Sequence, residues 1–158
     1  MIHTAALKFF VEGMPVTKGS ARAFLNRKSG VPIIVQDNRA TQRAWSSLIS
    51  SLASTYKEET KFPKTTGAVK VNLEFYLPRP ESHFKKDRTL KPFAPKFPIP
   101  KGKWDADKLA RCVLDALTGI LWVDDSQVVL LEVHKFYEDH YLTRPDKTGV
   151  FIEVEEVI

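Results

Sequence analysis

Apolar residues along this chain repeat at two different spacings, and the spacing decides the element. In residues 5–12, Leu7, Phe9 and Val11 alternate with Lys8 and Glu12, the two-residue period of a half-buried strand. The clearest strand is 68–77, where Val69, Val71, Leu73, Phe75 and Leu77 alternate with Lys70, Asn72, Glu74 and Tyr76 before Pro78 and Pro80 end it. Two more strands are predicted at 127–136, with Val129, Leu131 and Val133 on one face, and at 149–157, with Val150, Ile152 and Val154. Val31 to Val35 is a shorter extended run, preceded by a polar, basic loop or loose hairpin from Lys18 to Gly30.

Helical spacing appears twice. A first helix, capped by Asp37 or Asn38, runs to about Lys57 with an apolar stripe of Trp45, Leu48, Ile49, Leu52 and Tyr56. A second runs from Asp105 to Thr118: Leu109, Cys112, Val113, Ala116 and Leu117 face the core, Lys108, Arg111 and Asp115 face away, and Gly119 is placed to stop it. The order β(β)αβ-loop-αββ predicts one α/β (α+β) domain over 1–158, a small, mixed, mainly antiparallel sheet packed against two helices.

A chain of 158 residues buries a core without disulfides or structural metal. Its apolar share of 43% and charged share of 27% exclude wholesale disorder. No apolar run is long enough to span a bilayer, which needs roughly 18 residues. The N-terminus lacks the basic and apolar regions of a signal peptide. Cys112 is the lone cysteine and has no internal disulfide partner. A soluble cytoplasmic protein with no membrane contact is the expectation.

Charge alters the picture more by its distribution than by its sum of +5. Between positions 79 and 103 the chain carries Arg79, Lys85, Lys86, Arg88, Lys91, Lys96, Lys101 and Lys103 against Glu81 and Asp87, among several prolines and Phe84, Phe93 and Phe97. A loop of this length is usually functional or disordered. It reads either as solvated surface or as an arm that orders on DNA, holding phosphates with its lysines and stacking its aromatics on bases. Lys18, Arg22, Arg27 and Lys28 form a second basic cluster.

Against this background Asp105, Asp107, Asp124 and Asp125 stand out. Acids gathered in a basic chain imply a bound cation, and hard cations such as Mg²⁺ take carboxylate and phosphate oxygens. The chain path permits convergence. A helix over 105–118 advances about 21 Å at ~1.5 Å per residue, and residues 119–125, if extended, return about 20 Å at ~3.3 Å each. The alternative for each acid is plainer: Asp105 or Asp107 as a helix cap, Asp124-Asp125-Ser126 as a turn. Grouping all four would be repulsive without a cation.

The run Asp105-x-Asp107-x-Leu109-x-Arg111-x-x-x-Asp115-Ala116-Leu117-Thr118-Gly119, then Trp122-x-Asp124-Asp125-x-Gln127-Val128, resembles the signature of RusA-type Holliday junction resolvases. The likeness extends more loosely over most of the chain, including Gly13-x-Pro15 after the first strand and the basic Pro-rich loop. It implies a small homodimeric endodeoxyribonuclease, often phage-borne, that needs Mg²⁺ or Mn²⁺ and nicks four-way DNA junctions in symmetric pairs. It further implies that Asp105, Asp107 and Asp125 are the essential metal-binding acids, with Asp124 supporting. The chain departs from the pattern at Lys108, where the family commonly has Asn, and at Arg111, where Lys is usual. Arginine is no general base, so its implied role is to stabilise charge on phosphoryl oxygens. Lys108 joins the two basic clusters as a DNA contact. Two rival classes remain at this level: another carboxylate-metal nuclease such as a PIN-like ribonuclease, and a non-catalytic DNA-binding module whose acids cap and turn.

Overall fold

The computed structural model describes residues 5–19, 21–25, 28–30, 32–36, 39–139 and 147–158, with backbone only for 21–25 and 32–36. The strands are β1 (Ala6–Glu12), β2 (Ala21–Leu25), β3 (Pro32–Gln36), β4 (Val69–Leu77), β5 (Val128–Tyr137) and β6 (Gly149–Glu156). The helices are α1 (Arg39–Thr60) and α2 (Ala106–Leu117), with short 3₁₀ turns at Glu81–His83 and Asp125–Gln127.

The main sheet has the order β1-β6-β4-β5. β6 pairs antiparallel with β1 and β4, whereas β4 and β5 run parallel, giving the expected mixed, mainly antiparallel sheet of an α+β domain. Register aligns the apolar residues into rows across all four strands: Leu7–Val154–Val71–Leu131, and Phe9–Ile152–Leu73–Val133. One face of the sheet is therefore continuous and apolar, and both helices contribute to the single core cluster that covers it. The other face carries Lys8, Lys70, Glu74, Glu132, Glu153 and Glu155, positions one residue out of phase with those rows.

β2 and β3 form a separate antiparallel hairpin; its second arm is the extended run expected over 31–35, so the hairpin is wider than the 18–30 segment proposed for it. Arg22 sits on β2 opposite Val35; Arg27 and the caps proposed at Asp37 and Asn38 lie outside the described residues.

Two details differ from the pattern-based expectation. The buried stripe of α1 is Trp45, Ile49 and Ala53, with Leu52 and Tyr56 partly buried against the core and Leu48 left 40% exposed. β5 is an edge strand, and Val129, Leu130 and Leu131 are exposed. Its register slips between Val69 and Lys70, pairing Val69 with Val128 and Lys70 with Leu130. Val129 falls at this irregularity, so strict two-residue alternation does not hold across it.

The basic Pro-rich loop is folded onto the body. Arg79 is buried at its base, donating from Nε and Nη2 to Asp139 (2.9 and 3.2 Å) and from Nη1 to Pro95 O (2.6 Å), with its guanidinium 4.1 Å from the Tyr137 ring centre. Farther out, backbone bonds Lys85 N to Thr89 O and Lys91 N to His83 O close a turn. An arm that orders only on DNA is thus replaced by one already organised around a paired arginine.

Candidate active site

α2 starts where Asp105 leaves the extended conformation, and its polar side carries Asp107 and Arg111 one turn apart. Ala106, Ala110 and Leu114 follow the adjoining stripe. They face Leu131 and Val133 of β5 across an open cleft of about 550 Å³, whose remaining lining residues are Asp107, Arg111 and Asp125. Two acids and a guanidinium from separate parts of the chain therefore share a cleft with apolar walls. Asp107, Arg111 and Asp125 are all exposed, so water screens their mutual interactions until a ligand covers the cleft.

The return path works through tight turns rather than an extended run. Thr118 ends α2, Gly119 takes φ 88°, a conformation that favours glycine, and the fully buried Trp122 follows. Trp122 Nε1 donates to Thr118 Oγ1 (3.0 Å) and reaches Asp125 Oδ1 (3.3 Å). The Thr118 hydroxyl lies against both Leu114 O and the Asp125 carboxylate. Its single proton serves one of them, and the charged carboxylate is the stronger acceptor.

Asp124 and Gln127 form a capping box around the 3₁₀ turn. Gln127 Oε1 accepts from the backbone of Val123 (2.8 Å) and Asp124 (2.9 Å), while Nε2 donates to Thr65 O and Gly67 O (2.9 Å each). Two donors and two acceptors around one carboxamide leave a single consistent orientation. The turn that bears Asp125 is thereby tied to the segment leading into β4.

The four acids do not form one cluster. Among the described residues, no three His, Cys, Asp or Glu side chains are grouped as a metal site. Asp107 and Asp125 line the cleft. Asp105 occupies the N-cap position without capping, and its carboxylate pairs with Lys108 at 3.4 Å. Asp124 accepts from Ser126 N (2.9 Å), and the Ser126 hydroxyl first, then this backbone bond, hold its carboxyl below the ordinary value; for this residue the turn-and-cap reading is the structural one. A pair of carboxylates still suits Mg²⁺, which commonly keeps its waters and binds one or two protein carboxylates with substrate phosphate.

The basic residues divide as well. Lys18 is paired with Asp115 at 2.5 Å, Arg88 with Glu81 at 2.5 Å and Lys108 with Asp105. Arg88 also covers Phe84, and Lys103 lies 5.9 Å from the Trp104 ring centre. Lys28, Lys85, Lys86, Lys91, Lys96 and Lys101 are exposed.

Sequence reasoning left several supporting residues without a role. Thr118, Trp122 and Gln127 belong to the quoted motif, and their order in it was the available signal. Lys135 had none. Register places it on the helix side of β5, opposite Phe75, where its ammonium donates to Trp104 O at 2.9 Å. Trp104 adopts φ 59°, so a lysine from the far strand fixes the strained residue that leads into Asp105.

A family model described as Endodeoxyribonuclease RusA matches residues 12–154. An uncharacterized protein YqaN from Bacillus subtilis (strain 168) is 29% identical over 133 residues, covering 84% of this chain and 89% of that protein. No helix among the described residues is long and apolar enough to cross a membrane.

Proposed function

The chain belongs to the RusA endodeoxyribonuclease family, and on that premise we propose that it is a divalent-metal-dependent resolvase of four-way DNA junctions. It acts in the cytoplasm as a homodimer, making paired symmetric nicks during recombination and repair. The observation that carries this reading is the cleft joining Asp107, Arg111 and Asp125.

Asp107 and Asp125 would hold Mg²⁺, or Mn²⁺ in its place, with Asp105 at the adjacent helix start. The bound ion supplies Lewis-acid stabilisation of the phosphate and a more acidic water. The chain's own part is positional. Thr118 and Trp122 orient Asp125, and Arg111 offers a guanidinium to phosphoryl oxygens as their charge grows. Hydrolysis leaves a 5′-phosphate and a 3′-hydroxyl.

Exposed lysines of the Pro-rich loop hold the junction arms through phosphates, so affinity falls steeply with salt. The dimer is supported by the edge of β5. Val129, Leu130 and Leu131 on this unpaired edge are 56%, 51% and 44% exposed, apolar side chains that an isolated chain leaves to water. Two-fold symmetry suits a substrate with two equivalent scissile strands.

The test incubates the protein with labelled four-way junction, linear duplex and single-stranded RNA, with and without Mg²⁺. Paired nicks confined to the junction and to Mg²⁺ are expected, with Asp107→Asn losing nicking while gel-shift binding persists. Undiminished cleavage by Asp107→Asn, or cleavage of RNA alone, overturns the reading.

A further inference from the structure

We propose a second phosphate-binding site, on the first turns of α1, where Arg39, Gln42, Arg43 and Ser46 line an open cleft of about 230 Å³. It grips the DNA backbone of a junction arm beside the acidic end of α2. The inference rests on the nuclease reading for its substrate, but its evidence is separate.

The first element is register. Ser46 Oγ lies 3.7 Å from Cys112 Sγ, and Ser50 Oγ donates to Ala116 O at 2.8 Å. Both pairs are 66 residues apart, so α1 and α2 run parallel and in step. Their N-termini share one end of the helix layer. Counting back from Ser46 at ~1.5 Å per residue, Arg43 and Arg39 stand about 4.5 and 10.5 Å earlier. On α2 those are the levels of Leu109 and Asp105.

The second element is electrostatic. α1 has no acid in its first turn, yet it places two arginines where the helix dipole is already positive, an arrangement that favours an anion nearby. Arg39 and Arg43 are exposed. Among the described residues neither makes an ion pair, in contrast to Lys18, Arg79, Arg88 and Lys108. Guanidinium groups suit phosphate because they donate two parallel hydrogen bonds.

The third element is unused hydrogen-bonding capacity. Gln42 Oε1 and Trp45 Nε1, one turn apart, are both buried without a partner among the described residues. Trp45 is only 4% exposed. Buried polar atoms in native proteins are normally satisfied, and the Gln42 carboxamide oxygen has no hydrogen-bond partner among the described residues. An amide flip at this cleft-lining residue would present its NH₂ to a phosphate oxygen. The opposite face of the sheet, with Glu74, Glu132, Glu153 and Glu155 against Lys8 and Lys70, repels phosphates and leaves the helix-and-loop side to DNA.

The experiment compares the parent chain with Arg39→Ala/Arg43→Ala and Arg39→Lys/Arg43→Lys. Affinity for a labelled four-way junction is measured across a salt series without divalent ion, and nicking is read on the same samples in Mg²⁺. The alanine pair should bind about tenfold more weakly at low salt, and the slope of log K against log salt should fall by about one to two, one for each lost phosphate contact. The lysine pair should restore the slope while recovering only part of the affinity. Thermal unfolding of both pairs should match the parent, separating lost contact from lost fold. Equal affinity and slope in parent and alanine pair overturn this site and leave the nuclease reading standing. A parent that binds but never nicks removes the nuclease reading instead, and the altered slope then still supports the site.

Discussion

The hydroxyl of Thr118 rests against the carboxylate of Asp125, so the residue that ends α2 orients an acid whose partner, Asp107, stands in that helix's first turn. Trp122 braces both groups from the core. Replacing Thr118 by Val keeps the shape but removes the hydroxyl. Junction nicking should fall roughly 10–100-fold, the usual cost of losing a residue that orients a metal-binding side chain. Thr118→Ser should retain most activity. Steady-state nicking with circular dichroism of each variant checks this; parent-like activity in Thr118→Val refutes the orienting role.

Gln127 closes the same turn with four hydrogen bonds. Gln127→Ala should lower stability by about 2 kcal/mol, since each bond is worth about 1 kcal/mol net and water replaces some of them. Gln127→Glu should be worse at pH 8, because an acceptor-only carboxylate would face the carbonyls of Thr65 and Gly67 beside two aspartates. Urea unfolding at pH 8 orders the three proteins as parent, Ala, Glu. A glutamate variant as stable as the parent contradicts the donor assignment.

Arg79 ties the Pro-rich loop to Asp139 and Tyr137. Arg79→Ala should cost about 2–3 kcal/mol, because the carboxylate of Asp139 loses its partner and the loop its anchor. Limited trypsin digestion should then cut rapidly after Lys85, Lys86 or Lys96, sites the parent protects. Equal digestion rates would show that the arginine does not organise the loop.

Cys112 is buried, and burial pushes its thiol above the ordinary 9.0, with the Ser46 hydrogen bond opposing. The folded chain therefore keeps its proton after the unfolded chain has released it. The thiol's contribution is complete below about pH 9 and is lost as pH rises through the folded value. A thiol reagent at pH 8 should label Cys112 only in denaturant. Cys112→Val should lessen the decline in stability above pH 9; rapid labelling of the folded protein contradicts its burial.

Strand and helix identities were legible because core-facing residues must follow the period of the element that carries them. β1, β4, β6 and α2 matched their pattern closely, and the motif around Asp105 and Asp125 was readable as local order. The sequence by itself also determined which acids are near in chain and which loop is basic. Tertiary structure decided the remainder. Periodicity contains no strand order, so it did not reveal that β5 lies at an edge, or that its register shifts beside Val129. Spacing allowed four carboxylates to meet; in the fold Asp107 and Asp125 line one cleft, while Asp105 lies beside Lys108 and Asp124 accepts from Ser126. The loop's charge was plain, yet its order depends on Arg79 meeting Asp139 across 60 residues of sequence. Contacts of that range depend on how the chain folds back, which no local pattern encodes.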